Sequence, residues 1–91
     1  MTVYVVYNND EQIKPIEDSF KESSIFVFID EQTTKGKKKG FKLKGSWGAK
    51  ITPFAVVYND EDKPIKAFYS EADNDIIKSL ITYLNEQGIY S

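Results

Sequence analysis

Two apolar runs in the first third of the chain predict β-strands, and the segment between them predicts a helix. Thr2–Tyr7 and Ser24–Ile29 are rich in β-branched and aromatic residues and almost continuously apolar, which is typical of strands covered on both faces. The helix is predicted from about Glu11 to Lys21, after the cap-type side chains of Asn8–Asp10 and with Pro15 early in it. Its apolar positions share one face: Ile13, Ile16 and Phe20. A strand, a helix and a second strand in this order indicate a parallel crossover.

The second half of the chain predicts a β-hairpin followed by a closing helix. Pro53–Tyr58 and Pro64–Tyr69 are apolar runs on either side of Asn59–Asp62, whose short polar side chains favour chain reversal. Asp73 is the predicted N-cap of the last helix, and Gly88 is the predicted residue just past its end. That helix carries an apolar stripe at helical spacing: Ile76, Ile77, Leu80, Ile81 and Leu84.

The segment Glu31–Lys50, between the second strand and the hairpin, shows no clear apolar period. Glycines alternate with lysines along it, and glycine is a poor helix former, so this composition argues against a long helix. We expect an irregular connection, or a short helix around Phe41–Trp47. In that helix Phe41, Leu43 and Trp47 would anchor the segment to the sheet while the lysine ammonium groups stay in water.

The composition predicts one small soluble domain spanning residues 1–91. With 41% hydrophobic and 29% charged residues, the chain can bury a core and keep a polar surface. The longest apolar runs are only about five or six residues, too short to cross a membrane. The N-terminus lacks the basic region and long apolar segment of a secretion signal. We therefore expect no membrane association, and a location in the cytoplasm or within an assembled particle.

The chain contains no cysteine and no histidine, and this excludes several classes of chemistry. Disulfide exchange, cysteine–metal sites, Ser–His triads and imidazole acid–base catalysis all need one of these side chains. Carboxylate, lysine or tyrosine chemistry would remain, but no paired-carboxylate or phosphate-loop motif supports it. The sequence therefore predicts a protein that is not an enzyme and that has no cofactor or metal.

The charge is unevenly distributed along the chain, although its net value is only −2. Between Gln32 and Asn59 there is no acidic residue, and seven lysines fall in that interval: Lys35, Lys37, Lys38, Lys39, Lys42, Lys44 and Lys50. This basic patch is a candidate surface for nucleic acid, phosphate or an acidic protein, because lysines neutralise phosphates while Phe41 and Trp47 could stack on bases. The other interpretation, favoured by the acidic total charge, is a solvated loop.

The order of the predicted elements and four local features resemble the thioredoxin and glutaredoxin family. Tyr7–Asp10 follows the first strand, where the family carries its Cys-x-x-Cys motif, and Pro15 matches the family's helix proline. Thr52–Pro53 stands where the family has a cis-proline, and Ser46–Lys50 resembles the approach to it. The resemblance implies a minimal thioredoxin-like α/β fold of order β-α-β-(irregular or short helix)-β-β-α. Its helices would pack on a four-stranded mixed sheet.

The chain departs from that family at the residues that carry the family's chemistry. Thiol–disulfide exchange needs a thiolate, so Tyr7 and Asp10 cannot perform it, and Asp10 is instead predicted to cap the first helix. Family members hold an extended segment of a protein beside the cis-proline, which implies that Thr52 could pair with a partner peptide. The resemblance therefore implies a redox-inactive protein-binding or adaptor module. Its predicted partner-binding residues are Tyr7, Asn8, Asn9, Asp10, Trp47, Thr52 and Pro53.

Two other interpretations of these features remain open. Pro53 could only shape the turn into the hairpin, and Trp47 could only pack on the core. A cysteine-free version of an enzyme fold could also be a structural subunit of a larger assembly such as a phage particle, and the Lys, Asn, Ile and Tyr bias resembles low-GC bacterial or phage coding. In that case the predicted edge strands, Ser24–Ile29 and Pro64–Tyr69, could pair with neighbouring subunits.

Overall fold

One mixed β-sheet forms the centre of the fold, with helices packed against both of its faces. The computed structural model describes residues 1–20, 24–48, 52–69 and 76–88. Its elements are β1 (Thr2–Tyr7), α1 (Asp10–Ser19), β2 (Phe26–Asp30), α2 (Thr34–Trp47), β3 (Phe54–Tyr58), β4 (Pro64–Phe68) and α3 (Ile76–Glu86). The architecture is therefore α/β, with four strands and three helices among the described residues.

The strands lie in the order β2-β1-β3-β4 across the sheet. β1 pairs with β2 in parallel, which confirms the predicted parallel pairing, whereas the β1–β3 and β3–β4 pairs are antiparallel. The predicted hairpin is confirmed by the β3–β4 pair, and β2 and β4 form the predicted edges. Strand ends differ from the predicted ones by one or two residues, because terminal residues carry few ladder bonds.

The larger part of the core lies between one face of the sheet and the helices α1 and α3. Residues alternate between the two faces of a strand, so the odd-numbered positions of β1 and β3 face these helices. The fully packed residues of this cluster are Val3, Val5, Ile13, Ile16, Phe20, Ala55, Val57, Ile77, Leu80 and Leu84. The predicted apolar stripes of both helices are therefore confirmed.

The ends of α1 and α3 agree with the sequence prediction only in part. α1 ends at Ser19 rather than near Lys21, which lies outside the described residues, as does the predicted N-cap Asp73. Pro15 lies inside α1, as expected. Gly88 has a φ of 84° just beyond α3, a left-handed conformation that glycine adopts without steric cost.

Among the described residues, α2 is the element that covers the opposite face of the sheet, where a smaller cluster is buried. That cluster consists of Val6, Ile29, Phe54 and Val56. Leu43 and Trp47 of α2 pack against it, which confirms two of the three predicted anchors. Phe41, the third predicted anchor, is 77% exposed and lies on another side of the helix.

The prediction of an irregular segment at Glu31–Lys50 was wrong, because Thr34–Trp47 forms a helix of 14 residues. Gly36 and Gly40 lie four residues apart on its buried face. A Cβ at Gly36 would overlap the carbonyl oxygen of Asp30, and one at Gly40 would lie 2.9 Å from the Val6 Cγ1 atom. The glycines let α2 approach the sheet closely, so tertiary packing outweighs their poor intrinsic helix propensity.

Candidate functional site

The turn after β1 and the turn before β3 lie at the same end of the sheet. The last β1–β3 pair is Val6 with Phe54, so Tyr7 and Pro53 are the residues immediately beyond it. The Thr52–Pro53 peptide bond is cis. The two turns are therefore neighbours, and the predicted partner-binding residues around them are called the edge surface below.

The polar groups of Tyr7–Asp10 are largely used to start helix α1. The Asn9 Oδ1 atom accepts a hydrogen bond of 2.9 Å from the backbone N–H of Glu11, and the Asn8 backbone N–H donates one of 2.9 Å to the Gln12 Oε1 atom. Asn9 is therefore the N-cap, and the prediction that Asp10 caps the helix was wrong. Asp10 is the first helical residue, where its carboxylate favours the positive end of the helix dipole.

Tyr7 is a half-buried residue in an acidic environment. Its ring lies edge-on to Phe28, with 6.4 Å between the ring centroids, and its carbonyl accepts a hydrogen bond of 2.8 Å from the Glu31 N–H. Burial, followed by the negative charges of Asp30, Asp10 and Glu17, raises the pKa of the Tyr7 phenol above 10.0. The edge surface therefore carries a negative potential near Tyr7.

The remaining residues of the edge surface present both apolar and polar groups. Trp47, Thr52 and Pro53 are half-buried, whereas Asn8 and Asp10 are exposed. Trp47 packs against the cluster that contains Val6 and Phe54, so it has a role in the core and exposes only part of its indole. The edge surface thus combines a partly buried apolar rim with exposed polar groups from the β1–α1 turn.

The lysines of the predicted basic patch differ in whether they are free to bind a ligand. Lys44 is not available for ligands, because its ammonium group lies 2.9 Å from the carboxylate of Glu31 and its side chain is only 15% exposed. Lys50 lies outside the described residues. The exposed members are Lys35, Lys37, Lys38, Lys39 and Lys42, all on α2.

Lys35, Lys39 and Lys42 follow one another at helical spacing and form a row along one flank of α2. This row borders the part of the sheet that α2 leaves uncovered. Two adjoining depressions lie there, of ≈ 280 Å³ and ≈ 570 Å³, and both are lined by Tyr4, Ile29 and Lys39. The first also reaches Lys35 and the second Lys42.

Tyr4 and Tyr58 form the aromatic floor of the second depression, and Tyr4 also lines the first. The sequence analysis did not identify either of them. Their rings are 5.2 Å apart between centroids, at an angle of 78°. Both stand on the α2 side of the sheet, because Tyr4 is paired with Val56 and Tyr58 with Thr2. The lysine row, these two tyrosines and the lining residue Val27 are called the sheet-face surface below.

Within the described ranges, no helix is long and apolar enough to cross a membrane. Nor do these ranges hold a group of three or more acidic side chains placed to bind a metal ion. Comparison with known proteins finds no family model, no curated protein and no solved structure that matches the chain. The geometry of the two surfaces is therefore the basis for inferring function.

Proposed function

We propose that this chain is a redox-inactive, thioredoxin-like module that binds a protein partner through the edge surface. The observation that carries the proposal is the β1–β3 ladder, which ends at Val6 and Phe54. It leaves the Tyr7–Asp10 turn beside the Thr52–Pro53 turn. A four-stranded mixed sheet with a parallel β1–β2 pair is compatible with the fold that the resemblance implies.

The chemistry of the edge surface supports binding rather than catalysis. The chain has no thiol or imidazole, and the amide groups of the turn after β1 cap a helix. What stays accessible is a partly apolar rim around Trp47 and Pro53, next to the acidic environment of Tyr7. We therefore expect a partner segment that carries an apolar side chain and a lysine or arginine, bound in an extended conformation beside Thr52 and Pro53.

A peptide selection with a structural readout tests this proposal. Peptides selected from a displayed random library on the immobilised protein would be titrated into ¹⁵N-labelled protein, and amide shifts would locate the binding site. We expect shifts at Tyr7–Asp10 and at Thr52. Shifts confined to other surfaces would contradict the proposal.

Two asparagine substitutions provide a matched pair for the same experiment. Asn8→Arg places a long cation on the exposed β1–α1 turn, whereas Asn85→Arg makes the same change on the exposed side of α3. We expect Asn8→Arg to weaken peptide binding at least tenfold, which is about 1.4 kcal/mol, and Asn85→Arg to leave it unchanged. Equal peptide affinities of the two variants would contradict binding at the edge surface.

A second candidate function, a subunit of a larger assembly, is supported by strand β2. This edge strand exposes two apolar side chains, Val27 at 41% and Phe28 at 38%, and an apolar edge strand can pair with another chain. Light scattering across a concentration series tests this function. We expect association that Val27→Lys abolishes and that Thr82→Lys, on the exposed face of α3, does not; a monomer at all concentrations would contradict it.

A further inference from the structure

We propose that the sheet-face surface binds a single strand of nucleic acid, with bases against Tyr4 and Tyr58 and phosphates along Lys35, Lys39 and Lys42. This site is separate from the edge surface and does not depend on the function proposed there. The two central strands supply the aromatic rings, and one flank of α2 supplies the cations.

The tyrosine pair offers a platform on which bases can stack. Tyr4 of β1 and Tyr58 of β3 are diagonal neighbours on the same face of the sheet, and both are half-buried at the floor of the larger depression. Their edge-to-face contact, with 5.2 Å between centroids, holds the rings in place without covering both of them. Stacking on such rings is tolerant of sequence, because every base has a π-face.

The spacing of the lysine row suits a phosphate backbone. An α-helix rises about 1.5 Å per residue, so Lys35 and Lys39 are separated by about 6 Å along the axis and Lys42 lies about 4.5 Å further on. These separations are comparable to those between successive phosphates of an extended strand. All three side chains are exposed and line the depressions, so they can reach a backbone lying beside the stacked bases.

The charges around the row favour an anion over most of its length. Helix α2 contains no acidic residue, and Lys35 lies in its first turn, where it adds to the positive end of the helix dipole. Two carboxylates also line the depressions, Asp30 in the first and Asp62 in the second. The Asp30 Oδ1 atom accepts a hydrogen bond from the Gln32 N–H. The Asp62 carboxylate lines the second depression together with Lys39 and Lys42, and its negative charge would repel a phosphate there.

The aromatic floor favours a single strand over two other kinds of polyanion, a duplex and an acidic peptide. In a duplex the bases are stacked inside the helix and cannot reach the tyrosines without being flipped out. An acidic peptide would use the lysine row, but its Asp and Glu side chains have no rings to place on Tyr4 and Tyr58. The aromatic floor therefore distinguishes a single strand from both.

Fluorescence anisotropy with labelled oligonucleotides tests the proposal directly. The probes are a single-stranded DNA and a single-stranded RNA of the same sequence, the DNA duplex, and a polyglutamate peptide of equal length. We expect both single strands to bind more tightly than the duplex or the peptide. With three phosphates neutralised, the logarithm of the affinity should fall with the logarithm of salt concentration with a slope of about −2.

Substitutions separate this site from general attraction of polyanions. The triple variant Lys35→Gln, Lys39→Gln, Lys42→Gln should lose at least about tenfold in affinity at low salt. A triple variant with the same loss of charge elsewhere, Lys14→Gln, Lys66→Gln, Lys78→Gln, should lose much less. Tyr58→Leu should weaken binding by about fivefold or more, whereas Tyr58→Phe, which retains the ring, should not.

The opposing carboxylate gives a test in which affinity rises. Asp62 has a φ of 65°, which asparagine tolerates well, so Asp62→Asn should fold normally and bind a single strand more tightly. Asp18→Asn, on the exposed side of α1, makes the same change in charge away from the site and should have a smaller effect.

Three outcomes would overturn the proposal. The first is no binding of either single strand at low ionic strength. The second is equal affinity for the duplex or polyglutamate together with no effect of Tyr58→Leu, which would make the row a simple electrostatic surface. The third is equal losses in the two lysine triple variants, which would place binding elsewhere. Circular dichroism of each variant shows whether its fold is retained.

Discussion

The ammonium group of Lys44 lies 2.9 Å from the carboxylate of Glu31, and the two side chains are only 15% and 14% exposed. This ion pair joins the second half of α2 to the turn that follows β2. The Glu31 backbone N–H in turn donates to the Tyr7 carbonyl, at 2.8 Å. The pair therefore links α2 to the end of β1, and it removes one lysine from the basic surface.

We expect Lys44→Gln to lower the free energy of unfolding by about 1 to 2 kcal/mol, because it leaves the Glu31 carboxylate partly buried without its cation. Adding Glu31→Gln should recover part of this loss, and the double-mutant cycle should give a coupling of about 1 kcal/mol. Urea denaturation measures both quantities. The exposed pair of Lys63 and Glu61, at 4.0 Å, is the control and should show almost no coupling; similar couplings for both pairs would contradict the prediction.

Gly36→Ala and Gly45→Ala should change stability in opposite directions, although both replace a glycine of α2. A Cβ at Gly36 would overlap the Asp30 carbonyl oxygen, so α2 must shift and we expect a loss of about 1 to 3 kcal/mol. Gly45 has nothing within 4 Å of the added Cβ, so alanine should gain about 0.5 to 1 kcal/mol through helix propensity. Thermal unfolding of the two variants makes the comparison. Equal effects would show that α2 does not pack closely at Gly36.

The helix cap can be assigned by substitution in the β1–α1 turn. Asn9→Ala removes the acceptor for the Glu11 N–H and should cost about 1 kcal/mol of unfolding free energy. Asp10→Ala removes only a favourable charge at the helix end, so its cost should be about 0.3 to 1 kcal/mol and should shrink in salt. Denaturation at low and high salt separates the two effects. A larger loss of unfolding free energy for Asp10→Ala than for Asn9→Ala would indicate that Asp10, and not Asn9, is the N-cap.

Tyr7 should titrate above the ordinary phenol pKa of 10.0, because burial and nearby carboxylates disfavour the phenolate. A raised pKa in the folded protein means that the unfolded chain ionises first. The contribution of Tyr7 to the free energy of unfolding is therefore complete below pH 10.0 and is lost as the pH rises through the folded-state pKa of the phenol. We expect the wild-type protein to lose stability relative to Tyr7→Phe over that range.

The Tyr7 titration is measured from the difference in phenolate absorbance between wild-type protein and Tyr7→Phe. Asp30→Asn removes the charge that contributes most after burial, so it should move the Tyr7 pKa back toward its ordinary value. A Tyr7 midpoint at or below 10.0 would show that the phenol is not in the acidic environment described here.

The strands and two of the helices could be predicted because their apolar patterns are local. β1 and β3 are continuous apolar runs, and α1 and α3 repeat apolar residues at helical spacing. Helix α2 could not be predicted in this way, because its glycines weaken the helical signal, and the reason for two of them is the close approach of Gly36 and Gly40 to Asp30 and Val6. Glycine lowers the intrinsic helix propensity of a segment, whereas the close helix–sheet packing that it allows depends on the tertiary structure and is not visible in the local sequence.

The edge surface could be predicted and the sheet-face surface only in part, for a related reason. The resemblance identified the Tyr7–Asp10 turn and Thr52–Pro53 as parts of one predicted binding surface. The lysines were also evident in the sequence. Tyr4, however, stands on a strand whose apolar character suggested cover on both faces, and Tyr58 on a strand predicted only as part of the hairpin. In the part of the chain that the structure describes, one helix covers the second face and leaves some of it open, and this depends on the path of α2.

The unequal division of the core has a consequence for local opening of the molecule. α1 and α3 share the larger cluster, whereas α2 rests on Val6, Ile29, Phe54 and Val56 with few large side chains of its own. We therefore expect that detaching α2 exposes less apolar area than detaching either other helix, because segments with few buried contacts open at lower free energy than the whole protein. Amide protons of α2 should exchange with deuterium before those of β1 and β3, so the helix that carries the lysine row is also the one able to readjust without global unfolding.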